Sequence, residues 1–76
     1  MILPLDQLCT GVWGKVIVID TTRQLQQRLR DFGLVRGTFV CRRYTSPAGD
    51  LGAIELRGSI LALRKGDMHR IRVLVC

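Results

Sequence analysis

From Arg28 to Val73 the chain is divided by residues that demand special backbone geometry, and the divisions leave only short pieces. Gly33 follows an apolar stripe, Gly37 opens a new run, Pro47-Ala48-Gly49-Asp50 reverses the chain, and Gly58 separates two alternating segments. This punctuation leaves room for one short helix and a set of short strands. No residue in the series is an obvious acid, base, nucleophile or metal ligand, so its order describes a scaffold.

The helix is the clearest local element. Thr21 or Thr22 can accept a backbone N–H as N-cap, and Leu25, Leu29 and Phe32 follow at i, i+4 and i+7 among Arg, Gln and Asp. With Gly33 at C′, Leu29 and Leu34 take the two positions that a Schellman ending brings into hydrophobic contact. A helix of about ten residues does not persist alone in water, so it must dock. The spacing predicts that Leu25, Leu29 and Phe32 form the docked face.

The remainder reads as β structure. Pro4 to Leu8 can form one helical turn with Leu5 and Leu8 on one side, and Gly11 and Gly14 flank Val12-Trp13. Glycine at such a place suggests a bulge or a close backbone approach. Strands are predicted at 15–19, 38–44, 53–57 and 59–64, and from residue 71 onward. In the second, Phe39 and Cys41 oppose Val40, which leaves its inward face ambiguous. Pro47 and Gly49 fit positions i+1 and i+3 of a type I turn, and Gly58 supplies a positive φ for a tight hairpin. Ile54 and Leu56 share one face, Ile71, Val73 and Val75 another, and Asp67 is placed to cap a turn through Met68-His69-Arg70. Periodicity alone gives a mostly antiparallel α+β domain spanning residues 1–76, with no repeat or linker.

Composition decides between function classes. The chain has 76 residues, 47% of them hydrophobic, and only six acidic, which is too apolar for disorder. The longest aliphatic run, Val16 to Ile19, is far short of the ~20 residues of a membrane span. Met1 to Asp6 lacks the basic start and apolar core of a secretion signal, so a cytoplasmic location is expected. The net charge of +6 comes from ten Arg and two Lys against those six acids. It suits an acidic partner (nucleic acid, anionic membrane face or acidic protein surface), while its even spread also suits a solvated surface. Three cysteines without a CxxC signal neither zinc ribbon nor redox dithiol. Cys41 is expected to be a small buried residue, and Cys76 to be accessible.

The chemistry of an enzyme is missing. His69 has no nucleophile partner at a known spacing, Ser46 and Ser59 lie beside turns, and the five aspartates lie near element ends, where capping is ordinary. No catalytic residue, cofactor site or metal site is predicted. Cys9, Cys41, Glu55, Asp67 and His69 are the metal donors, and their spacing forms no ligand motif. No Gly-Lys-Ser/Thr loop is present to hold a nucleotide. Against nucleic acid, the aromatics number only four: Trp13, Phe32, Phe39 and Tyr44. Tyr44 beside Arg42-Arg43 is the best stacking candidate.

The ordered set Leu5, Leu8, Gly11, Gly14, Val16, Arg28-Leu29, Gly33-Leu34, Gly37, Val40, Pro47, Gly49-Asp50, Gly58, Leu63-Arg64 and Ile71-x-Val73 resembles the FeoA family. These are small cytosolic accessory proteins of bacterial ferrous-iron transport. The resemblance covers nearly the whole chain. It implies a mainly β fold with one short helix, closed as a small SH3-like barrel of about five strands, with Val40 inward and Phe39 outward. It also implies a non-enzymatic adaptor that contacts the cytoplasmic GTP-binding region of the FeoB transporter without inserting into the membrane. Phe39 and Leu61 are the expected outward apolar contacts, with Arg42, Arg64 and Lys65 as a basic rim; Ile17 or Val18, and Leu74, are further outward candidates. A homo-oligomer is left open. The rival reading is a small basic barrel that binds nucleic acid.

Overall fold

A computed structural model describes residues 1–75, so Cys76 and its expected accessibility lie outside the described residues. The elements are β1 (Ile2–Pro4), a 3-10 turn (Leu5–Gln7), β2 (Trp13–Ile19), α1 (Arg23–Asp31), β3 (Phe39–Thr45), β4 (Leu51–Leu56), β5 (Ser59–Arg64), α2 (Lys65–His69) and β6 (Ile71–Leu74). All pairings are antiparallel, and one sheet runs in the order β1-β6-β2-β3-β4-β5.

The domain is mainly β, as expected, with two corrections. A sixth strand, β1, precedes the five that the sequence signalled; its three residues are too few to show alternation. And the sheet is open: among the described residues β1 and β5 are its two unjoined edges, so no hydrogen-bonded ladder completes the expected SH3-like barrel. Helix α2 packs against both the 3-10 turn and β5, so side chains span the gap instead.

Helix α1 is built as its sequence demands at both ends. The Thr22 hydroxyl accepts from the Leu25 N–H at 3.2 Å. At the other end Gly33 has φ +88°, the Leu34 N–H donates to Leu29 O and the Gly33 N–H to Arg30 O, each at 2.9 Å. Those two bonds are the Schellman pair. Leu29 and Leu34 are both buried, but Phe32 is 50% exposed, which corrects the expected docked face. The chain leaves the helix at Phe32, the C-cap, and Leu34 returns to fill the core in its place.

Two further local differences concern turns. The β4–β5 hairpin pairs Leu56 with Ser59 across Arg57 (φ 49°) and Gly58 (φ 80°), two left-handed residues that define a type I′ loop. Gly58 was expected there; a left-handed arginine was not. Asp67 does not cap α2, because the helix begins two residues earlier, with Arg64 at the N-cap position, and Asp67 lies within its first turn.

The core collects Val16, Val40, Ile54, Leu56, Leu63, Ile71 and Val73 from the sheet, and Leu5, Leu8, Leu29, Leu34 and Met68 from the elements over it. Gly14 is the close approach that its sequence setting suggested: a Cβ there would stand 3.1 Å from the Val73 side chain. Gly52 makes similar room for α2, since a Cβ would stand 2.8 Å from Met68 Cε.

Candidate partner-binding surface

Because Val16, Val40, Ile54 and Val73 point inward, their strand neighbours point to the opposite face. The register aligns these neighbours in rows. One row runs Ile2, Leu74, Lys15, Phe39 across β1, β6, β2 and β3. A second runs Trp13, Cys41, Glu55, Ile60 across β2 to β5, and a third runs Tyr44, Ala53, Ala62. Ile2, Trp13, Tyr44 and Leu74 are exposed, as are Phe39 at 59% and Ile60 at 60%. These exposed apolar side chains on one face are the candidate contact surface.

A charged cluster fixes the middle of that face. The β3–β4 register shifts between Arg42 and Tyr44, and Arg43 is the extra residue. Its Nε donates to Glu55 Oε1 at 2.5 Å, and its guanidinium lies 5.7 Å from the centre of the Trp13 ring. The hydrogen bond to Glu55 raises the arginine's pKa further above its usual value, so the group stays charged. Cys41 stands between Trp13 and Glu55 in its row and is fully buried. It behaves as the small buried residue expected, though on the outer face beneath this cluster.

The five residues expected to form a partner site do not come together. Phe39 is outward and exposed, and Arg64 and Lys65 are exposed, but the register puts them at the opposite end of the sheet from Phe39. Leu61 pairs with Ile54, points inward and is half-buried against the core, which corrects its outward assignment. Arg42 also pairs with Ile54 and points inward. Its Nη1 donates to the carbonyls of Asp6 and Leu8 at 2.8 Å each, and its Nη2 to the Thr45 hydroxyl. The residue is a clamp on the 3-10 turn, not a rim charge. Trp13, Ile60 and Ile2 are outward residues that the sequence reading missed; alternation about the buried positions was the signal that could have found them. Of the further candidates, Val18 and Leu74 are exposed.

The metal donors are dispersed. His69 Nδ1 lies 3.2 Å from Asp6 Oδ1, Glu55 is engaged by Arg43, and Cys41 is buried. Among the described residues no three His, Cys, Asp or Glu side chains gather. No described helix is long and apolar enough to cross a membrane.

Comparison with known proteins gives this face its context. The solution structure of a FeoA protein from Chlorobium tepidum superposes with a TM-score of 0.92 at 27% identity, covering 96% of this chain and 70% of that one. A FeoA-like protein from Clostridium acetobutylicum gives 0.82 at 34% identity, covering 97% and 86%. A crystal structure described as an iron uptake regulatory protein (FeoA) gives 0.85 at 28% identity over 100% of both chains. No curated protein sequence matches the chain. The FeoA domain model matches residues 3–75, so the chain belongs to the FeoA family, whose members are small accessory domains associated with iron uptake.

Proposed function

We propose that the protein is a non-enzymatic, cytoplasmic adaptor of ferrous-iron uptake that docks on the cytoplasmic GTP-binding region of the FeoB transporter. The observation that carries this reading is the outward apolar face, with Phe39, Trp13 and Leu74 on neighbouring strands. Family membership supplies the iron context. Lys15 in the first row and Arg72 beside Val18 place positive charge around the apolar contacts. Charge of this kind speeds encounter, and burial of the aromatics holds the complex.

The test is titration of the purified protein with the soluble cytoplasmic region of the transporter. Phe39→Asp should weaken binding by roughly tenfold or more, the range of a buried aromatic contact. Its melting midpoint should stay near the parent's, since Phe39 is exposed. A folded variant that binds normally would move the contact off this face.

One observation favours the nucleic-acid reading: three of the four aromatics, Trp13, Phe39 and Tyr44, share the outer face. Its charge is weaker than the sequence suggested, because Arg42 turns inward and Arg43 is paired with Glu55. Tight binding of a single-stranded oligonucleotide that survives physiological salt would favour that reading over the adaptor.

A further inference from the structure

We propose that the open edge of β5, with the groove between it and α1, accepts an extended, acid-flanked segment of a partner protein as an added strand. This goes beyond the outer-face reading and is independent of it.

The hairpin geometry settles which backbone groups are free. Across a two-residue type I′ loop, the flanking residues Leu56 and Ser59 form a hydrogen-bonded pair. Ser59, Leu61 and Leu63 therefore direct their N–H and C=O groups to β4. The same alternation continues at Lys65, whose N–H donates to Asp50 O at 2.9 Å. Ile60, Ala62 and Arg64 direct theirs outward, where β5 is the last strand of the sheet. This edge is six residues long and carries no proline and no inward-pointing charge. Those are two of the devices that blunt an edge; Arg64 at the end of the strand is its one charge, and the uncharged stretch 59–63 before it is a template for another strand.

Beside the edge lies a cavity of about 420 Å³. Leu25 and Leu29 of α1, with Phe32 at its C-cap, line one side, and Leu61 and Leu63 of β5 the other. An added strand would send alternate side chains into this groove and the rest to the outer face beside Ile60.

Charge selects the occupant. Arg28 and Arg64 line the groove and Lys65 adjoins it. Arg57 lies at the hairpin end, its Cδ 3.2 Å from where a Cβ on Gly33 would sit. Among the described residues none of these four cations has an ion-pair partner within 4.0 Å. Among the described residues Asp67 is the one carboxylate lining the groove. A second copy of this chain would bring the same cations against these, so the charge favours an acidic strand from a different protein.

The probe is a capped nine-residue peptide of alternating valine and threonine with glutamates at both ends, followed by calorimetry and amide-resolved NMR on the full chain. The amides of Ile60, Ala62 and Arg64 should shift and gain exchange protection, while those of Trp13, Phe39 and Leu74 stay unmoved. The same peptide N-methylated at alternate residues should lose measurable binding. Replacing its glutamates by lysine should weaken it about tenfold, and the Arg28→Glu/Arg64→Glu variant should reverse that preference. Ala62→Pro removes an outward N–H without removing a ladder bond, and should weaken binding about fivefold to tenfold. Absence of saturable binding would overturn the proposal, as would shifts confined to the outer face. Concentration-dependent protection of Ile60 and Ala62 without peptide would assign the edge to a second copy and overturn it equally.

Discussion

At one side of the sheet β1 contributes three residues; at the other, β5 contributes six. The β1 side is tied down from several directions. Met1 and Val75 exchange both backbone hydrogen bonds at 2.8 Å, which places Leu3 and Val73 as the next bonded pair. Only Ile2 and Pro4 then face outward, and Pro4 has no N–H to offer, so the edge presents a single donor. The Arg42 clamp holds the 3-10 turn that follows. On the β5 side three outward N–H groups stand beside an apolar groove. The difference teaches that one sheet can be terminated by blunting at one edge and left receptive at the other.

The strongest way to break the comparison is to remove the clamp. Arg42→Ala deletes the charged donor to the Asp6 and Leu8 carbonyls and should destabilise the domain by about 2–3 kcal/mol, the scale of hydrogen bonds to a charged group left unmade. Denaturant unfolding measures it, and exchange at Leu3 should accelerate first. Arg42→Lys should recover little, since an ammonium lacks the planar fork that spans two carbonyls and a hydroxyl. An unchanged midpoint would show that the β1 side is held by other means.

A smaller loss tests the β5 side. Gly33→Val forces a β-branched residue to φ +88° and brings its Cβ within 3.2 Å of Arg57 Cδ. A loss of about 1–2 kcal/mol is expected in thermal melts. The loss should come with displacement of the Arg57 side chain, and a parent-like melt would disconnect α1 from the geometry of that edge.

The smallest expected change in stability sharpens the contrast most. Pro4→Ala should alter unfolding by less than about 1 kcal/mol, mostly through the unfolded chain. It gives β1 a second outward N–H, so sedimentation should reveal stronger concentration-dependent association than in the parent. A variant that associates no more than the parent would mean that proline is not what blunts the edge.

These features differ in how far the sequence exposed them. The Leu29, Gly33, Leu34 ending was legible because a Schellman turn is local, and Ile54 with Leu56 was legible from alternation. Phe32 was not: helical spacing cannot see that Leu34 returns to take its place. Ile60-Leu61-Ala62-Leu63 is apolar on both faces, so no period told Leu61 inward from Leu61 outward. Arg42 and Arg43 are identical as letters; alternation from the buried Val40 turns Arg42 inward and Arg43 outward, and the register shift between Arg42 and Tyr44 then turns Tyr44 outward as well, which no period in the letters shows. Of the expected site, Phe39 kept its outward place because Val40 beside it is core; the rest depended on pairings between distant strands.

The contact between Gly52 and Met68 has a mechanical consequence. A barrel completed by a backbone ladder resists widening as a hoop does, because any increase in girth stretches hydrogen bonds. Here the span between β1 and β5 runs through α2, and the buried anchor of α2 is one thioether set into the space that a glycine leaves. An unbranched side chain with three rotatable bonds can turn to follow a moving wall. The span is therefore a joint of side chains, and a small change in girth would be taken up there before any strand ladder had to stretch.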